Sequence, residues 1–454
     1  MFFFQKTQTA MKKTLLLYCL SLSLGLFAQT KVVLTDSGYT FIRNGQPYYA
    51  KGLGGEVNFD KMVEIGANSL RTWGVENAQA ILDEAHKRGL TVMLGMWLQH
   101  ERHGFDYDNK EKVKAQLEYF KTVVDRYKNH PAILLWGIGN ELDLNYSNTK
   151  VWYAVQDIAK YIHETDPMHP TSTVTAGLDS MEVQLISARC PDIDVYCVNT
   201  YGDIGNVPSK IGKFGWNGPY MITEWGPNGH WESPQTNWGV SIEQSSSEKS
   251  QSYAERFTKY IQPNSSHCIG SYAFLWGAKQ EYTETWYGLF SKDNLPTEPI
   301  DALQIAFTGK APLDPAPSIR QCLIDGKNAF QSVTIKAGDF YQANVNVVLP
   351  DSIKNSNATY VWRIMEESTD KKSGGDVEEA ATEIGGLIKG KSNKPMISFR
   401  APDREGNYRL FVTVLHNNKV AYANVPFKVT PRLPGDKPSR MIQLKTVDMS
   451  SFDN

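Results

Sequence analysis

Ile133-Leu-Leu-Trp-Gly-Ile-Gly-Asn-Glu141 is an apolar run that ends without transition in an amide and a carboxylate. A short run with no polar alternation fits a strand covered on both faces, as in a parallel sheet. The polar pair then emerges at the carboxyl end of the strand, which in an α/β barrel is the face that carries the active site.

Seven comparable runs accompany it: Tyr48 to Gly54, Ala67 to Trp73, Leu90 to Leu98, Thr171 to Gly177, Asp194 to Gly202, Pro219 to Gly226 and Ile269 to Gly277. Between them lie stretches of helical period, such as Asn77 to Gly89, Glu111 to Tyr127 and Val151 to Glu164. Gly89 supplies a helix stop, and the third stretch ends before Asp166-Pro167. Eight strand and helix units in roughly 270 residues have the size of a (β/α)8 TIM barrel. An open doubly wound sheet alternates in the same way, but no glycine-rich dinucleotide fingerprint follows an early strand. The fold class expected is therefore α/β, a barrel spanning residues 29–310.

On the amino-terminal side, Thr40 to Gly52 turns at Asn44-Gly45 as a small hairpin and runs into the first barrel strand. On the carboxyl side, the rhythm changes at the proline-rich linker 311–317. Beyond it, Gln331 to Ile335, Gln342 to Leu349, Ala358 to Ile364, Met396 to Phe399, Tyr408 to Leu415 and Val420 to Val429 alternate or cluster β-formers. Short strands with turns over residues 318–432 predict an immunoglobulin-like β-sandwich, without the Cys-Trp-Cys core spacing of antibody domains. Lys371 to Gly375 is expected to be an exposed loop, and 433–454 a disordered tail.

The 454 residues hold 47 Lys and Arg against 49 Asp and Glu, a formal net charge of -2. That balance argues against nucleic acid or an anionic membrane as partner and favours a neutral substrate. Met11 to Ala28 has a basic start, a short apolar stretch and a small residue before Gln29, the pattern of a secretory signal, with residues 1–10 as an upstream extension. An exported protein, periplasmic or extracellular, with no membrane span in the mature chain is expected. Cys190, Cys197, Cys268 and Cys322 follow the signal; their even number permits disulfides, while Cys197, inside an apolar run, fits a buried thiol equally well. No Cys/His spacing calls for a metal, and no cofactor is expected.

Two runs end in a glutamate, Glu141 and, in Tyr220-Met-Ile-Thr-Glu-Trp-Gly226, Glu224. They belong to the fourth and seventh strands. Paired carboxylates at a barrel mouth are what glycosidic cleavage requires, since one must protonate the leaving oxygen while the other meets positive charge at the sugar carbon. Metal sites of this kind draw more Asp, Glu or His from neighbouring strand ends, and here those ends are aromatic, Asn and Arg.

Asn140-Glu141 closing strand four and Glu224 closing strand seven before Trp225-Gly226 resemble the retaining β-glycoside hydrolases of the large (β/α)8 clan. The resemblance covers about residues 40 to 310. It implies that Glu141 is the acid/base and Glu224 the nucleophile, with carboxyl groups about 5 to 5.5 Å apart. Asn140 matches the amide that bonds the sugar 2-hydroxyl. Around the pair, Arg71 would bring a fixed positive charge to Glu224, Tyr201 would hydrogen-bond the nucleophile, and Trp276 would floor the subsite of the reacting sugar. A plain salt bridge is the competing account of Arg71, and packing that of Tyr201 and Trp276. Trp97, His100, Trp225 and Trp231, in loops after the third and seventh strands, would line further sugar subsites; for His100 a solvated loop position is the alternative.

Within the clan, the entry Asn44 to Gly52 and the carboxyl-terminal sandwich are most similar to family 158 endo-β-1,3-glucanases, while families 2 and 5 share the barrel motifs. Sandwich domains ahead of the barrel, as in typical family 2 members, are not expected, which counts against a β-galactosidase of that layout. The resemblance thus implies an enzyme acting on a β-linked oligo- or polysaccharide, which is expected, with the signal-like stretch, to be secreted and monomeric. A transglycosylase, a β-mannanase or β-galactosidase-like hydrolase, and a non-catalytic carbohydrate-binding protein are the alternatives. The sandwich is expected to brace the barrel.

Overall fold

The computed structural model describes residues 29–350, 358–390, 392–433 and 435. The signal stretch and nearly all of the tail 433–454 lie outside the described residues. Strands β1 (Thr30–Thr35), β2 (Gly38–Arg43) and β3 (Gln46–Tyr48) form a small antiparallel sheet. Asn44 and Gly45 both take positive φ between β2 and β3, as the turn dipeptide demands. This sheet closes the amino-terminal end of the barrel: Phe41 packs with Leu134 and Met221, and Arg43 donates to the carbonyl of Ile133 at 2.8 Å.

The barrel itself is closed and parallel. Its strands are β4 (Ala50–Gly54), β5 (Ser69–Arg71), β6 (Thr91–Met96), β7 (Ile133–Ile138), β8 (Thr171–Ala176), β9 (Val195–Asn199), β10 (Tyr220–Trp225) and β11 (Cys268–Ala273), with β11 paired to β4. Each is followed by a helix: Phe59–Glu64, Ala78–Lys87, Lys110–Tyr127, Val151–Thr165, Ser180–Arg189, Val207–Phe214, Ser246–Arg256 and Glu298–Thr308. The (β/α)8 expectation is met strand for strand, because two-sided burial leaves each strand apolar and each helix amphipathic. All six residues of β7 are buried. Local chemistry fixes the helix starts; Ser245 and Glu248, for instance, cap one another's backbone in a capping box. Among the described residues no helix is long and apolar enough to cross a membrane.

The sandwich has two four-stranded sheets. One is β12 (Ser318–Ile324), β14 (Phe340–Val348), β17 (Met396–Arg400) and β16 (Ile388–Lys389); the other is β13 (Val333–Lys336), β19 (Lys419–Thr430), β18 (Gly406–His416) and β15 (Thr359–Glu366). Trp362, Phe399, Leu410 and Phe427 fill the space between them. Of these strands β12 and β16 carry no alternation long enough to announce them.

Barrel and sandwich are joined through buried polar chemistry. Glu243, in the loop after β10, accepts from Lys249 (2.6 Å), Thr283 (2.7 Å), Thr285 (2.8 Å) and Asn424 of β19 (2.6 Å). Arg409 of β18 reaches back to the Ser241 carbonyl at 2.9 Å and pairs with Glu367 at 2.7 Å. A buried carboxylate with four donors is satisfied only when both domains are in place. Cys190, Cys197, Cys268 and Cys322 are buried free thiols, so the disulfide alternative is not realised among the described residues.

Candidate active site

The carboxyl ends of the barrel strands surround a cavity of about 660 Å³. A depression of about 980 Å³ lies between the last two barrel helices and the linker. Its acids, Glu298 and Asp301, are engaged by Ser247, Ser318, the Ala316 amide and Lys419. The mouth cavity is the one that gathers uncommitted chemistry.

At its base lies Glu224, the fifth residue of β10. Oε1 accepts from Arg71 Nη1 at 3.1 Å and Trp73 Nε1 at 2.8 Å, and Oε2 accepts from Tyr201 Oη at 2.9 Å. Three donors converging on one carboxyl group suit its ionised, acceptor-only form. Arg71 is itself buried, and it also donates to the Thr223 carbonyl (2.7 Å), Asn199 Oδ1 (3.1 Å) and Asn140 Oδ1 (2.6 Å). The Tyr201 phenol is pushed well above its usual range, first by burial and then by the Glu224 charge, so it stays a donor.

Glu141 arrives differently. β7 ends at Ile138, and Gly139 takes φ 75°, where a Cβ would lie 2.4 Å from Leu142 Cδ1. Glu141 follows at φ 50°, a left-handed conformation uncommon for a glutamate. It is held there by its amide, which donates to Val174 of β8 at 2.9 Å. Among the described residues its carboxyl accepts one side-chain bond, from Asn199 Nδ2 at 2.8 Å. Burial, and then the Glu224 charge, push its pKa up to about 8. Two carboxyl groups in one cavity are thus set apart, one ringed by donors and one made protonatable.

Asn140 accepts from Arg71 and from Asn199 (3.0 Å) through Oδ1, which leaves its amide nitrogen as the free donor. His100 donates Nε2–H to the Asn140 carbonyl at 2.6 Å and is buried; burial lowers its pKa to about 4, so it is neutral and positions Asn140 from behind. It is therefore neither a solvated loop residue nor a subsite wall. Trp97 lines the cavity with its ring tilted at 54° against His100, centroids 4.7 Å apart. Trp231, 59% exposed, stands at the rim against Tyr201.

Two expected residues lie elsewhere. Trp225 follows Glu224 on a strand, so it points to the opposite face; it is buried against Tyr253 and Phe257 in the layer between sheet and helices. Trp276 is buried beneath the mouth, its indole donating to the Val57 carbonyl at 2.7 Å and its ring edge-on to Phe290. Phe274 and Leu275 line the cavity in its place.

Three contributors were not singled out in the sequence. Asn199 bridges the two carboxylate environments, accepting from Arg71 and from Thr223 (2.9 Å) while donating to Asn140 and Glu141. Its signal was available, since it closes the apolar run Val195 to Val198 as Asn140 follows the apolar run of β7. Trp73, closing Ser-Leu-Arg-Thr-Trp, was equally accessible. The third, residues 372–375 of the sandwich, also lines the cavity and carries no local signal.

Residues 56–267 match glycosyl hydrolases family 2, TIM barrel domain. β-Glucuronidase of Chlorocebus aethiops is 23% identical over 219 residues, 40% of this chain and 32% of that protein. Bacteroides uniformis β-glucuronidase 3 shares 16% identity at a TM-score of 0.46, covering 92% of this chain and 53% of that one. The endo-β-1,4-mannanase from Thermotoga petrophila shares 14% identity at a TM-score of 0.41, covering 86% and 99%. The chain spans about a third of the length of the curated relative it matches.

Proposed function

We propose that the protein is a retaining β-glycosidase acting on a neutral β-linked glycan. The observation that carries the reading is the opposed setting of two carboxyl groups in one cavity: Arg71, Trp73 and Tyr201 donate to Glu224, while burial and the neighbouring charge raise the pKa of Glu141. In the first step Glu224 attacks the anomeric carbon. The new C–O bond forms as the glycosidic C–O bond breaks, and Glu141 gives its proton to the departing oxygen. In the second, Glu141 takes a proton from water as that water attacks the same carbon, and the Glu224 carboxylate leaves. Asn140, with its amide nitrogen free, bonds a sugar hydroxyl beside the reacting carbon.

Charge favours a neutral sugar. Apart from Glu141, held protonated as the acid, Asp203, Glu224, Glu232 and Glu281 line the cavity against Lys279 and Lys372. The Lys279 ammonium is taken up by Glu281 at 3.0 Å and the Gly375 carbonyl at 2.6 Å. A substrate carboxylate would enter a field of its own sign, which argues against a glucuronide despite the β-glucuronidase relatives. Among neutral glycans, the resemblance to family 158 makes β-1,3-glucan the first candidate. The signal-like stretch Met11 to Ala28 supports export of the enzyme to meet a polymer outside the cytoplasm.

The test is a panel of β-glucans, β-mannans and aryl β-glycosides, the β-glucuronide included, with product sizes recorded. Hydrolysis of neutral substrates with retained anomeric configuration is expected. Products longer than the starting oligosaccharide would reassign the enzyme as a transglycosylase, and preference for the glucuronide would overturn the charge argument.

A further inference from the structure

We propose that residues 368–379 of the sandwich are a fixed wall of the catalytic cleft that admits the end of a glycan chain and excludes its middle; the inference rests on the glycosidase reading and deepens it. The wall crosses the barrel mouth. On one side Lys279 Nζ donates to the Gly375 carbonyl and the Tyr282 amide donates to Glu378 at 2.5 Å, both from the loop after β11. On the other, Arg102 Nη1, in the loop after β6, donates to the Ser373 carbonyl at 3.1 Å and pairs with Asp376 at 2.6 Å, and His103 lies 3.0 Å from the same carboxylate. In the barrel order β11-β4-β5-β6 those two loops flank β4 and β5, so the wall stands over the ends of these two strands.

The fit is close. Gly374 and Gly375 have φ of 62° and 71°, and a Cβ would stand 2.8 Å from Arg102 Nη2 and Leu144 Cδ2 at the first and 2.5 Å from Lys279 Nζ at the second. The positive φ favours glycine at both positions, while the atoms a Cβ would meet are the ends of flexible side chains that can shift. The wall is rooted in the buried joint between the domains, since Glu367 at its start holds Arg409, which bonds the Ser241 carbonyl of the barrel. Lys371 also sits over the Tyr282 ring, 4.6 Å from its centroid. The rim that remains is formed by Gly177, Asp203 and Trp231, from the loops after β8, β9 and β10.

A polymer cleaved in its middle must leave a cleft on both sides of the carboxylates. The wall obstructs one of them, and exposed Trp231 offers a platform on the side left open. The enzyme therefore takes a chain end, in contrast to the mid-chain action that the family 158 resemblance implies.

The experiment follows an end-labelled β-linked oligosaccharide and its parent polymer with the full-length enzyme and with a variant in which residues 371–377 are replaced by two glycines. Release of one short product size from one end by the wild type, and a spread of internal fragments from the variant, are expected. A spread of internal fragments from the wild type at early times overturns the wall whether or not the variant folds, and so does an unchanged pattern in a folded variant. Aryl β-glycosides report the chemistry separately: their resistance to the wild type overturns the glycosidase reading itself. Binding by Glu224→Gln then still tests the wall, which requires affinity to stop rising at short oligosaccharides and overturns if it climbs with chain length.

Discussion

Arg71 Nη1 lies 3.1 Å from Glu224 Oε1, with both side chains almost wholly removed from solvent. The guanidinium also donates to Asn140, Asn199 and a backbone carbonyl, so the pair is the hub of the site and more than a barrel salt bridge. Replacing Arg71 by Met should leave Glu224 buried without its charge partner, which costs about 3–5 kcal/mol of stability. Urea unfolding of Arg71→Met should show it. Arg71→Lys keeps the charge but lacks the planar fork, so it should recover part of the stability and little of kcat.

Glu141→Gln and Glu224→Gln should both fold. The first removes proton transfer, typically worth about 10²–10⁴-fold. That loss should fall on substrates with alkoxide leaving groups and shrink for a dinitrophenyl glycoside, whose leaving oxygen needs no proton. Glu224→Gln should lose activity on both kinds of substrate. Equal losses on both leaving groups for Glu141→Gln would contradict its role as the acid.

The pH profile follows from the raised pKa of Glu141. Its protonated form is the acid, so activity present at neutral pH should be lost as pH rises through about 8. The sign for stability runs the same way: a carboxyl group whose folded pKa exceeds its unfolded value near 4.5 contributes stability below that value and loses it as pH climbs towards 8. Glu141→Gln should therefore be the more stable protein at pH 8 and lose the alkaline fall in stability that this group causes. Thermal unfolding of both proteins at pH 5 and pH 8 checks it.

Much of this was legible in the chain, for identifiable reasons. Two-sided burial made β4 to β11 stand out as apolar runs, and Glu141 and Glu224 stood out because carboxylates seldom end such runs. Alternation along β10 would have sent Trp225 outward had it been counted from Glu224. Trp276 was misplaced because residues beyond β11 leave the strand path, where period carries no information. The wall was beyond any local reading, since Arg102 and Ser373 are 271 residues apart and Lys371 to Gly375 has the composition of an ordinary loop. The bracing expected of the sandwich has a structural basis in Glu243 and Arg409, but the same domain also shapes the cleft.

Asn199→Ala removes a side chain that donates to Glu141 and also serves Arg71, Thr223 and Asn140. Leaving such partners unsatisfied costs about 1–3 kcal/mol each, and a misplaced Glu141 should appear as a fall in kcat with little change in KM. If KM rose while kcat held, Asn199 would be a substrate ligand and not a positioning residue.

The joint between the domains gives the last test. Lys249 is fully buried, and its ammonium has Glu243 at 2.6 Å and the Thr285 carbonyl at 2.6 Å. Glu243→Ala strands that charge and frees Asn424 of β19, so a loss of about 3–5 kcal/mol is expected. The double variant Glu243→Leu with Lys249→Met removes both charges and should be less destabilised than the sum of the single changes, because neither partner is left alone. Because Glu367 and Arg409 adjoin this network, a loosened joint should also release the wall. Internal cleavage of the end-labelled oligosaccharide should therefore rise in Glu243→Ala and return towards the wild-type pattern in the double variant.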